Sequence, residues 1–109
     1  MYIQKRLYEV MTRFSWDERK NRVNRRKHGV SFENATRVFR DRFVMFLQDR
    51  EVDGELRWQA IGKARDSVVL LVAHTYEEDD QEERIRIISA REATQREAAS
   101  YYAQFESHR

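Results

Sequence analysis

The sequence predicts an α+β domain: two helices, then a four-stranded antiparallel meander, then a closing helix. Three observations carry this. Helix start and stop signals occur twice before Arg42, the pattern switches to period-two alternation after Asp41, and helical spacing of apolar residues returns from about Glu92. The 109 residues, 40% of them apolar, support one core. No proline, Gly/Ser linker or internal repeat divides them, so a single domain over 1–109 is expected, with 1–13 as a partly ordered N-terminal extension.

The first helix should start after an Asp17 N-cap, with Ser15 and Glu18 as a competing capping box, and stop at Gly29, which tolerates the left-handed C′ conformation. Its only interior apolar residue is Val23, so it can bury only a narrow stripe. Ser31 caps a second helix whose Phe32, Ala35, Val38 and Phe39 form an apolar face. Strands are expected over Phe43–Gln48, Leu56–Lys63, Val68–Tyr76 and Arg84–Ser89, joined by the turn-like DREVDG, ARDS and an acidic tip. Val68–Ala73 is apolar on both sides and should be central. Ala98, Tyr101, Tyr102 and Phe105 suit a last helix packed on the sheet.

Composition narrows the chemistry. Without cysteine there is no disulfide, thiolate nucleophile or zinc-thiolate site. The apolar run VVLLVA stops at six residues, far short of the ~20 a membrane helix needs. The N-terminus lacks a secretory h-region, so a cytoplasmic protein with no membrane role is expected. Charge is uneven: from Arg13 to Arg42 there are ten Lys/Arg against four Asp/Glu on a chain of net charge +2. Such a patch attracts phosphate. The run Glu77–Glu83, six acids in seven residues, reads as a solvated hairpin tip rather than a metal site.

Strand alternation allows a sharper expectation, because residues two apart share a face. If the ARDS turn pairs Lys63 with Val68 and the acidic tip pairs Tyr76 with Arg84, then Arg57, His74 and Arg86 form one row, flanked by Glu55, Tyr76 and Arg84. Arginine forks bind phosphate oxygens and stabilise developing charge, while histidine or Glu55 can move a proton. The row therefore suits metal-independent RNA cleavage through the ribose 2′ oxygen, with no cofactor. A structural histidine and ordinary cross-strand Arg/Glu pairs explain the same residues. Read alone, the residues support a basic RNA-binding domain better than a nuclease. A noncatalytic nucleic-acid-binding module or transcriptional regulator and a protein-binding domain are the alternatives.

WDERKNRVNRRKHGVSFENATRVF (Trp16–Phe39), RWQAIG (Arg57–Gly62) and RIRIISAREA (Arg84–Ala93), in this order, closely resemble the BrnT family of bacterial type II toxins. The resemblance covers nearly everything from Phe14 to Tyr102. It implies a RelE-like ribonuclease fold, metal-independent RNA cleavage that arrests translation, and a cognate ribbon-helix-helix antitoxin. That antitoxin would cover the active face in a two-plus-two complex and carry the contacts to operator DNA. Carried over by residue, the resemblance implies catalytic roles for Glu55, Arg57, His74 and Arg86. It implies substrate binding by Lys27, Arg84 and Arg91, the last of which can instead hold the final helix to the sheet; Tyr76, beside the row, is a further substrate-binding candidate.

Overall fold

The computed structural model describes residues 11–106. Five strands form one mixed sheet in the order β1-β5-β4-β3-β2. They are β1 (Met11–Ser15), β2 (Met45–Val52), β3 (Glu55–Arg65), β4 (Val68–Glu78) and β5 (Glu82–Glu92). The last four make the expected antiparallel meander, with the apolar β4 in the middle. The sheet nevertheless has a fifth strand: residues 11–13, assigned above to the extension, belong to β1, which pairs in parallel with β5. The rest of that extension lies outside the described residues. Among the described residues no helix is long and apolar enough to cross a membrane.

Between β1 and β2 come α1 (Glu18–His28) and the short α2 (Phe32–Ala35), which tightens into a 3-10 turn over Thr36–Arg40. Their caps are those the sequence signals. The Asp17 carboxylate accepts from the backbone N–H of Arg19 and Lys20, Gly29 sits at φ 73°, and the Ser31 hydroxyl accepts from Asn34 N–H. The stripe that α1 buries is not apolar, however. Val23 is 51% exposed, while Asn21 and Asn24 are buried. The Asn24 amide donates to Val30 O and Ala90 O at 2.9 and 2.7 Å and accepts from Ala90 N–H at 3.2 Å. Asn21 accepts from Phe32 N–H at 2.8 Å and donates to Glu33 at 2.9 Å. Two amides thus dock the helix by satisfying backbone groups that burial would otherwise orphan.

Each face of the sheet is covered differently. On one, Phe32, Ala35 and Val38 pack on Ala60, Leu70, Val72, Ile85, Ile87 and Ala90. On the other, Tyr101 of α3 (Gln95–Glu106) packs on Ile61, Val69 and Leu71, with Phe43, Met45 and Phe105 around it. That helix starts at Gln95 rather than Glu92, which ends β5. Its start is a capping box: Thr94 Oγ1 accepts from Glu97 N–H, and the Glu97 carboxylate accepts from Thr94 N–H.

Asp41 joins the layers. Its carboxylate accepts from Phe43 N–H, from Lys63 N–H and from the Tyr101 hydroxyl. Gly62 permits this approach, because a Cβ there would stand 3.0 Å from Val38 Cγ1 and 3.1 Å from Asp41 Oδ2.

Candidate active site

The register of the two central hairpins differs by one residue from the expected one, in the same sense in both. Lys63 pairs with Val69, not Val68. The ARDS turn closes on only Asp66 and Ser67, with Arg65 opposite Val68 and a bulge between Lys63 and Arg65. At the acidic tip, Tyr76 pairs with Ile85, not Arg84. Because side chains alternate, a one-residue shift moves a strand's residues to the opposite face. The β4 residue in the row is therefore Thr75. It pairs with Arg86, and one step beyond the Trp58–His74 pair the same register sets Arg57 opposite it on the other side.

The row is Arg57, Thr75, Arg86, on the half of the sheet that α3 leaves open. Glu55 reaches over β4 to Arg86 in a two-point contact, Oε1–Nη2 2.6 Å and Oε2–Nη1 3.1 Å. The Arg86 hydrogen bonds, and after them the charges of Arg86 and Arg57, lower the Glu55 pKa, so its carboxylate is ionised at neutral pH. Arg57 is half-buried, and its Nε–H is sealed from solvent with no partner among the described residues. Thr75 is 5% exposed, so it forms the floor between two arginine-bearing strands whose backbones lie about two strand spacings, roughly 10 Å, apart.

His74 belongs to the other face. It is fully buried, pairs with Trp58 and Ile87, and meets the rings of Phe39 and Phe46 edge-on at 4.9 and 6.0 Å. Nδ1 lies 3.2 Å from Val72 O, and Nε2 has no partner among the described residues. Burial lowers its pKa to about 4, so the ring is neutral. The expected Arg57–His74–Arg86 row is thus corrected, and His74 is separated from the arginines by the sheet.

The remaining positions divide. Tyr76 shares the His74 face, with its hydroxyl 2.8 Å from Glu78 and 3.0 Å from Glu83. Burial and those carboxylates raise its pKa. Lys27, exposed in the last turn of α1, lies in the helical layer behind the sheet, not beside Arg57. Arg84 is on the Arg86 face but is tied to Asp79 at 2.9 Å and Glu82 at 3.4 Å in the acidic tip. Asp79 also accepts from Gln81 and Glu82 N–H, and together these contacts hold its pKa down at about 2. Arg91 forks onto Glu97 at 2.8 and 3.0 Å, which fastens α3 to the sheet.

Thr75 is the residue the sequence reading missed. A polar β-branched residue between two arginine-bearing strands is visible only once the register is known. Glu97 was also missed, although Thr94-Gln-Arg-Glu97 is a capping-box signal readable without coordinates. Among the described residues no group of three or more His, Cys, Asp or Glu is placed to hold a metal.

No curated protein matches the chain. A solved structure of similar fold is the 1.1 Å crystal structure of the Brucella abortus ribonuclease toxin, BrnT. It is 24% identical to this chain with a TM-score of 0.57, over 79% of this chain and all of the other. Residues 16–97 match the family described as "Ribonuclease toxin, BrnT, of type II toxin-antitoxin system". The match spans α1, the row-bearing strands and the start of α3, and on it the chain belongs to the BrnT family of ribonuclease toxins.

Proposed function

We propose that this toxin cleaves RNA on the open half-face, with Arg57 and Arg86 clamping the scissile phosphate over Thr75. The observation that carries the reading is the pair of guanidiniums flanking Thr75, one of them with a buried, unpartnered Nε–H. Cations and donors fixed before the reaction stabilise the charge of a pentavalent phosphate better than water, which must reorganise. Among the described residues Glu55 is the carboxylate hydrogen-bonded to the row, and it holds Arg86 in place.

In the reaction, the ribose 2′ oxygen attacks phosphorus and its proton passes to Glu55. The bond to the 5′ oxygen breaks to leave a 2′,3′-cyclic phosphate, the departing 5′ oxygen takes a proton from water, and Glu55 returns its proton to the hydroxide so formed. A carboxylate held below its ordinary pKa is a weak base. The reading therefore assigns most of the rate to the two arginines. His74 has no part in it. The chain acts as one domain, in the cytoplasm, without a metal. Its type II antitoxin is of the ribbon-helix-helix class in a two-plus-two complex, and it masks the open half-face.

The test is cleavage of RNA in EDTA. Cleavage should persist, and Arg57→Ala or Arg86→Ala should each lower kcat by about 10²–10³, the usual cost of removing one donor from such a site. Wild-type rates in both variants, or rates abolished by EDTA and restored by a divalent cation, would refute the reading.

A further inference from the structure

Opposite the open half-face, the helical layer carries a chain of connected hollows. One, of about 150 Å³, lies between the end of α1 and the β3–β4 hairpin, lined by His28, Asn34, Arg37 and Arg65 among others. It shares Arg37 and Arg65 with a shallower neighbour that also contains Arg40. On its other side it shares Gly29 and Asn34 with a hollow at Arg25. That one continues along α1 past Arg22 and Arg26.

Six arginines, Arg22, Arg25, Arg26, Arg37, Arg40 and Arg65, thus line a row of adjacent hollows that share lining residues, a shallow groove in outline. None has a carboxylate within ion-pair distance among the described residues, whereas Arg13, Arg84, Arg86 and Arg91 all do. Three carboxylates line the groove as well, and two of these are engaged. Asp41 is taken up by three donors, and Glu33 by Asn21, which lowers its pKa; the charge of Arg25 lowers it further, so Glu33 offsets that one arginine in part. Glu92 is the third, at the lip.

We propose that this groove is a second RNA-binding track, gripping the sugar-phosphate backbone of the substrate outside the cleaved segment. Exposed arginines without a close ion pair, following a surface line, suit a chain of regularly spaced anions. Arg65 is eight residues from Arg57 along β3, about 26 Å, and the sheet lies between the track and the row. A short oligonucleotide on the row cannot reach it, and only a longer RNA that wraps the edge of the sheet engages both. The inference rests on the open half-face being where RNA is cut.

The test is the triple variant Arg25→Gln, Arg37→Gln, Arg65→Gln, all at exposed positions, assayed on a five-nucleotide RNA and on a transcript of a hundred or so nucleotides. The expected result is a KM for the long RNA raised at least tenfold, with kcat and the short-substrate kinetics unchanged. The slope of log affinity against log salt should fall by about 2, since each lost single-strand phosphate contact contributes about 0.7. Unchanged affinity and salt slope for long RNA would overturn the track, as would an equal loss on the five-nucleotide substrate. Loss of antitoxin binding with RNA affinity intact would assign the groove to a protein and also overturn it. The active-face reading is judged separately by Arg57→Ala with Arg86→Ala: if that variant cleaves normally while the triple variant still loses long-RNA affinity, the face falls and the track stands.

Discussion

Mild acidification should weaken this fold, and His74 is a cause. The imidazole is sealed between Phe39 and Phe46, with a folded-state pKa of about 4, while in the unfolded chain it titrates near 6.5. As pH falls the unfolded chain binds the proton first. Stability present in full above about pH 6.5 is therefore lost progressively down to about pH 4. Linkage between those two values gives a loss of about 2 kcal/mol at pH 5 and about 3 kcal/mol at pH 4. Asp79 and Glu97, both held at about 2, have the opposite origin: their stabilisation is present above the ordinary carboxylate range and is lost below it. Among these three groups the interval from pH 7 to pH 5 thus belongs to His74. Urea unfolding at pH 7, 6 and 5 should show a midpoint that falls with pH in the native sequence and stays flat in His74→Leu. A flat midpoint in the native sequence, or the same fall in His74→Leu, would refute the buried neutral histidine.

Gly62→Ala should destabilise by about 1–3 kcal/mol in urea unfolding, because the new Cβ meets Val38 and Asp41 at 3.0 and 3.1 Å. Asn24→Ala leaves Val30 O and both backbone groups of Ala90 without their partner. It should cost about 2–4 kcal/mol, more than Val23→Ala on the same helix, as thermal melts of the two will show. Glu97→Gln breaks the fork to Arg91. If that pair only fastens α3, stability should drop by less than about 1 kcal/mol and RNA cleavage should keep its rate.

Much of the architecture was legible because it is written in local signals. Asp17, Gly29 and Ser31 mark helix ends by chemistry that acts over three or four residues, and the doubly apolar Val68–Ala73 fixes the central strand. Asp53-Gly54 ends β2 in a turn with both residues at positive φ, 52° and 79°, the signature of a tight hairpin. The candidate site depended instead on counting residues across two hairpins. A bulge after Lys63, and at the acidic tip a turn that closes on the Glu78–Glu83 pair, are not encoded in any short window. Since both hairpins shifted the same way, Arg57 and Arg86 stayed together while His74 gave its place to Thr75. Strand β1 was missed because a parallel edge strand gains its partner, β5, from about seventy residues away. The burial of Asn21 and Asn24 was hidden for a related reason: polar side chains on a helix read as solvated until the backbone groups they serve are known.

The three bonds to Asp41 give substitutions remote from the Arg57–Thr75–Arg86 row a way to alter the proposed cleavage surface. The residue follows the 3-10 turn of one layer, yet it anchors Tyr101 of the helix that borders the exposed half-face on the other. How wide an aperture α3 leaves is therefore determined partly from behind, by the packing of Val38 against Gly62. A change there would shift the rim of the proposed cleavage surface while Glu55, Arg57, Thr75 and Arg86 kept their identity.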